Sequence, residues 1–150
     1  MQFIGIDPGI NGGFACIESG KVSAWRMPAT EKDVKKLLDD IKYNDTGDDS
    51  FCLIEEVHSM PGNSARSMFT FGQNYGMLRA MLIACYIPFE TVTPTVWQKE
   101  FGLTNRKISK TKKKNKHKAK AQELFPLIDP MTHALADALL IAEYAKRKFK

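Results

Sequence analysis

Phe3-Ile4-Gly5-Ile6-Asp7-Pro8-Gly9-Ile10-Asn11-Gly12-Gly13-Phe14-Ala15 decides how the chain is read. Phe3, Ile4 and Ile6 predict a buried strand that ends at a carboxylate, and Pro8 and Gly9 stop it at once. Gly12 and Gly13 predict a turn into a second apolar run, Phe14-Ala15-Cys16-Ile17. Asp7 is therefore expected at the rim of a sheet, where it either caps the turn or serves chemistry.

Working outward, residues 3–7, 14–18 and 22–27 predict three short strands joined by glycine turns, a β-meander ended by Pro28. Thr30-Glu31-Lys32-Asp33 starts a helix with acids in its first turn, and Val34, Leu37, Leu38 and Ile41 give it one apolar face. Residues 44–50 are expected to be a polar surface loop. Phe51-Cys52-Leu53-Ile54 follows a helix, so it predicts a buried strand parallel to the first, ending at Glu55-Glu56. A long helix is expected over about 64–86, with Phe71, Tyr75, Leu78 and Leu82 as its core stripe. A strand over 89–92, a short helix carrying Trp97, a helical turn or two over 119–125 and a last helix over 132–149 complete the order. The expected fold is α/β: one domain with a mixed five-stranded sheet, three strands antiparallel and two added in parallel, flanked by helices.

The chain has 150 residues, 43% hydrophobic and 26% charged, as expected for a single soluble domain with a real core. Its longest apolar stretch, Met81-Leu82-Ile83-Ala84-Cys85-Tyr86-Ile87, is too short to cross a bilayer, and no signal peptide is visible. Cys16, Cys52 and Cys85 lack CxxC spacing and read as reduced core thiols, so a cytoplasmic location and no membrane partner are expected. The net charge of +5 is concentrated: residues 106–120 hold nine Lys/Arg and no acid, leaving 13 basic against 17 acidic residues elsewhere. That asymmetry points to a polyanion met at one place, most simply nucleic acid.

In such a sheet the first and fourth strands are parallel neighbours, so Asp7 and Glu55 share one edge. His133 and Asp137 stand four apart on one face of the last helix, and Asp137 is embedded in Ala134-Leu135-Ala136-Asp137-Ala138-Leu139. A carboxylate in an apolar helix is costly unless it is paired or bound to a cation, although it could also cap a loop or pair with a buried lysine. Three carboxylates and an imidazole converging beside a basic tract suggest hard divalent metal, Mg²⁺ with Mn²⁺ as a substitute, in preference to Zn²⁺. Two ions per site and phosphodiester hydrolysis by metal-activated water are the expectation.

The chain resembles the RuvC-type Holliday junction resolvases of the RNase H-like superfamily, and within them the bacteriophage branch. The resemblance lies in Ile4-Gly5-Ile6-Asp7-Pro8-Gly9, Leu53-Ile54-Glu55-Glu56-Val57-His58 and His133-Ala134-Leu135-Ala136-Asp137-Ala138-Leu139. Val57-His58-Ser59-Met60-Pro61-Gly62, Ser67-Met68-Phe69-Thr70-Phe71-Gly72, and Trp97 ahead of Phe101-Gly102-Leu103 add to it. It implies a homodimeric, metal-dependent endonuclease that resolves four-way junctions, or more broadly branched DNA, by paired nicks. It also implies Asp7, Glu55, His133 and Asp137 as catalytic and metal-binding residues, with His133 either a ligand or a base. Cellular members carry an aromatic wedge three residues after the second acid, where this chain has His58; Met60, Met68 or Phe69 could unstack bases instead, or belong to the core.

Lys107, Lys110, Lys112, Lys113, Lys114, Lys116, Lys118 and Lys120 stand mostly one or two apart. They predict a solvated basic arm over about 104–118 that grips phosphates without reading sequence. Asn63, Ser64, Arg66, Arg79 and Gln98 are further candidate backbone contacts. Three other functions compete: a ribonuclease H on RNA–DNA hybrids, an ATP-binding protein using Asp7-Pro8-Gly9 with Gly12-Gly13, and a non-catalytic branched-DNA-binding module. A single domain argues against the second, and intact acids argue against the third.

Overall fold

A computed structural model describes residues 1–43, 49–56, 58, 61–104 and 107–149. Five strands, β1 (Gln2–Asp7), β2 (Gly13–Glu18), β3 (Lys21–Arg26), β4 (Ser50–Glu55) and β5 (Phe89–Val92), form one sheet in the order β3-β2-β1-β4-β5. β1 pairs antiparallel with β2 and β2 with β3, whereas β4 pairs parallel with β1 and with β5. The helices are α1 (Glu31–Tyr43), α2 (Ala65–Ala84), α3 (Pro94–Glu100), α4 (Lys110–Leu124) and α5 (His133–Phe149). The mixed sheet of three antiparallel and two parallel strands is the architecture expected from the sequence. Most of the expected 44–50 loop lies outside the described residues.

Strand alternation sorts the core into two layers. Ile4 and Ile6 of β1 and Cys52 and Ile54 of β4 point to the side covered by α1 and α2. Phe3 of β1 and Leu53 of β4 point to the opposite side, covered by α5 with Trp97 and Ala121. Asp7 shares parity with Phe3 and Gly5, and Glu55 shares parity with Leu53. Both acids therefore belong to the α5 face.

α5 lies unusually deep on that face because small residues meet there. A Cβ on Gly5 would stand 2.3 Å from the Ala138 carbonyl oxygen and 2.4 Å from the Ala142 nitrogen. One on Gly13 would stand 2.6 Å from the Ala134 carbonyl oxygen. Ala134, Ala138 and Ala142 recur every four residues, so along one stripe of small residues the backbone of α5 comes against strand glycines. Asp137 adjoins the residue that covers Gly5, and the packing delivers it to the end of β1.

The largest departure from expectation is α4. The expected basic arm is helical from Lys110, capped by the Ser109 hydroxyl, which accepts the Lys112 amide N–H at 3.3 Å. Like charges at helical spacing oppose such a helix. What opposes them is the burial of His117 and Ala121 against the core. Among the described residues no helix is long and apolar enough to cross a membrane.

Candidate active site

Asp7, Glu55 and Asp137 come together where β1, β4 and the first turns of α5 meet. The register Ile6↔Ile54 places Asp7 and Glu55 one step beyond the last β1–β4 pair, on adjacent parallel strands. Burial holds the Asp7 carboxyl well above the usual range, with the charges of Glu55 and Asp137 adding to it and Lys114 opposing. Burial likewise pushes Glu55 up to about 7; the Trp97 hydrogen bond lowers it, Asp137 raises it, and His117 and Lys114 lower it.

Two of the acids are gripped from behind by ring donors. The Trp97 indole N–H donates to Oε2 of Glu55 at 2.7 Å. His117 Nδ1 lies 2.7 Å from Oδ1 of Asp137. The two rings touch edge to face, centroids 5.3 Å apart at 70°. Glu56 is turned elsewhere: its carboxylate lies 3.5 Å from the His58 imidazole, which marks Glu55 as the acid of the pair that enters the site.

Beside the acids opens a cavity of about 680 Å³. Asp7 and the turn Pro8–Gly12 form one wall, and Asn63, Arg66, Phe71 and Asn74 of the α2 region form another. Lys110 and Lys114 of α4 reach in from a third side. Phe71, expected in the core stripe of the long helix, lines this cavity instead, because it sits at the rim-proximal end of α2, before Leu78 and Leu82 go under the sheet.

Of the residues singled out from the sequence, Asp7, Asn63, Arg66, Met68, Lys110 and Lys114 line the cavity, whereas Glu55, His133 and Asp137 do not. His133 is the exposed first residue of α5, one turn before Asp137, and no side-chain partner joins it among the described residues. Arg79 lies farther along α2, over the Tyr75 ring at 5.5 Å. Gln98 uses its backbone carbonyl to end α3 and does not line the cavity. Lys107, Lys112, Lys116 and Lys118 are exposed and Lys113 is half-buried, all outside the cavity lining. Met60 and Arg106 lie outside the described residues.

His117 was not singled out, since it stands in Lys116-His117-Lys118 and reads as part of a charge run. The spacing Lys110, Lys114, His117, Ala121 is nevertheless that of one helical face. Trp97 stood out in the sequence, but its hydrogen bond to Glu55 did not.

Among the described residues no three His, Cys, Asp or Glu side chains are placed to hold one ion as they stand. The donor set still fits a hard divalent cation: three neighbouring carboxylates, two of them with raised pKa, lose mutual repulsion when one is bound. Asp7, Glu55 and Asp137 are the residues that would hold it.

No protein-family model matches the sequence, and no curated protein matches it. Solved structures do. Thermus thermophilus RuvC in complex with Holliday junction substrate matches with a TM-score of 0.66 at 16% identity, covering 99% of this chain and 96% of that one. A second Thermus thermophilus RuvC structure matches with a TM-score of 0.63 at 17% identity, over 99% of this chain and 96% of that one. The likeness runs the length of the chain, and it shows that the fold is RuvC-like.

Proposed function

We propose that the protein is a metal-dependent endonuclease that cuts branched DNA, four-way junctions first among them, by paired nicks. One observation carries this reading: Asp7, Glu55 and Asp137, from three elements far apart in sequence, converge with mutual repulsion, and Asp7 opens onto a cavity that Lys110 and Lys114 also line. A bound Mg²⁺ or Mn²⁺, two per site in the full reading, would supply Lewis acidity and an activated water. The chain's own residues bind and orient. Lys110, Lys114, Arg66 and Asn63 line the space into which a phosphate backbone would be drawn. Trp97 and His117 hold two of the acids in place.

A homodimer would offer two such sites for symmetric cuts. Phe69, Ile83 and Tyr86, exposed on and just beyond α2, support that helix as its interface. His133 four residues before Asp137 supports the bacteriophage-type variant, and three buried cysteines that form no disulfide support a cytoplasmic setting.

The test is cleavage of a labelled four-way junction beside linear duplex, fork and RNA–DNA hybrid, with Mg²⁺, Mn²⁺ or EDTA, using wild type and Asp7→Asn. Paired nicks that need metal and Asp7 are expected. Cutting of the hybrid alone would make the protein a ribonuclease, and tight junction binding without cutting would reduce it to a binding module.

A further inference from the structure

We infer that His117 and Trp97 are a pair of positioning residues that pre-orient Asp137 and Glu55 for the cation; this rests on the metal-dependent reading above. Each ring donates to one carboxylate oxygen, Trp97 Nε1 to Oε2 of Glu55 and His117 Nδ1 to Oδ1 of Asp137, both at 2.7 Å. The second oxygen of each acid, Oε1 and Oδ2, stays outside these bonds and is the one left to face an ion.

Burial shows that these contacts are the reason for the residue types. Trp97 is 0% and His117 6% exposed, inside an otherwise apolar layer. His117 Nε2 is buried with no partner among the described residues, so the ring's polar contact is made to Asp137 alone. If the position served packing only, an apolar side chain would fill it without leaving a ring nitrogen unpaired. The edge-to-face contact between the rings joins the two grips into one unit, so a shift of one ring presses on the other.

Outer contacts of this kind orient ligating groups and change metal affinity by about 10–100-fold when removed. The experiment titrates full-length protein with Mn²⁺ alone, without DNA, and follows the free-ion electron paramagnetic resonance signal. Wild type, His117→Leu, His117→Asn, Trp97→Phe and Asp7→Asn are compared. His117→Leu should weaken Mn²⁺ binding by about 10–100-fold. His117→Asn, which returns an N–H near Nδ1, should recover most of that loss. On a four-way junction, His117→Leu should lower kcat and leave KM unchanged.

His117→Leu binding Mn²⁺ as tightly as wild type overturns the inference, as does His117→Asn performing no better than His117→Leu. Should the leucine variant show no cooperative melt, Trp97→Phe decides: it keeps a ring and loses the donor, and unchanged Mn²⁺ affinity overturns the proposal. Wild-type binding that is indifferent to Asp7→Asn is a separate outcome. It overturns the metal-site reading itself, and the positioning with it.

Discussion

Gly5 on β1 and Ala138 on α5 leave no room for a methyl group between them: a Cβ on Gly5 would come within 2.3 Å of the Ala138 carbonyl oxygen. Neither backbone can yield alone, since β1 is the central strand and α5 is largely buried from Ala134 to Ala145. Gly5→Ala should therefore destabilise the fold by about 1–3 kcal/mol or more. The contrasting case is Gly72 in α2, where an added Cβ meets nothing within 4 Å. There Ala should stabilise by about 0.5–1 kcal/mol through helix propensity. Denaturant midpoints for the two variants test the pair, and equal signs would refute the packing argument.

Glu55 gives the stability a pH dependence whose sign can be worked out. Its folded pKa, about 7, stands above its ordinary 4.5, so between these values the folded protein holds the proton more tightly than the unfolded chain. Stability from this group is full below about pH 4.5 and declines as pH rises toward 7. The loss is at most about 3 kcal/mol. Subtracting the Glu55→Gln melting curve from wild type at each pH isolates it. A difference that is flat from pH 5 to 8 would contradict the buried carboxylate described here.

Asp7→Asn should separate stability from activity. It removes a buried charge that Glu55 and Asp137 repel while keeping the shape. The apo variant should melt higher than wild type at pH 8, yet nick no DNA. Lower melting in the variant would mean that Asp7 is stabilised by contacts that outweigh the repulsion.

The lysines of α4 should fall into two groups. Replacing Lys110, Lys112, Lys114 or Lys116 with Ala should each reduce the log–log salt slope of junction binding by up to about 0.9, from a total of about −5 for six phosphates. Lys114→Ala should also slow single-turnover cutting by at least about tenfold, because its charge acts on Asp7 and Glu55. Lys112→Ala should leave that rate unchanged, since Lys112 is exposed outside the cavity. Equal rate losses in both variants would refute the distinction.

Most of the fold was legible because strand alternation and helical spacing state it directly. Ile4 and Ile6 against Phe3, and Cys52 and Ile54 against Leu53, are enough to say which face Asp7 and Glu55 join. Asp137 was legible by contrast with its alanines, but the purpose of those alanines was not. They read as apolar filling, whereas their size is what lets α5 settle on Gly5 and Gly13. α4 stayed hidden because lysine repulsion dominates its composition. Its helical form comes from a serine cap and from the burial of His117 and Ala121, whose helical spacing the surrounding lysines mask. The hydrogen bond from Trp97 to Glu55 spans 42 positions and could not be read from either neighbourhood.

α4 also limits how the protein can vary. Lys110, Lys114 and His117 share one helical face, so the residues facing the cavity and the ring behind Asp137 are parts of one rigid body. A single residue inserted between Lys114 and His117 would turn one group about 100° away from the other. On the outer side of α4, descendants of this chain need to keep only the positive charge. Between positions 110 and 117 they have to keep its length.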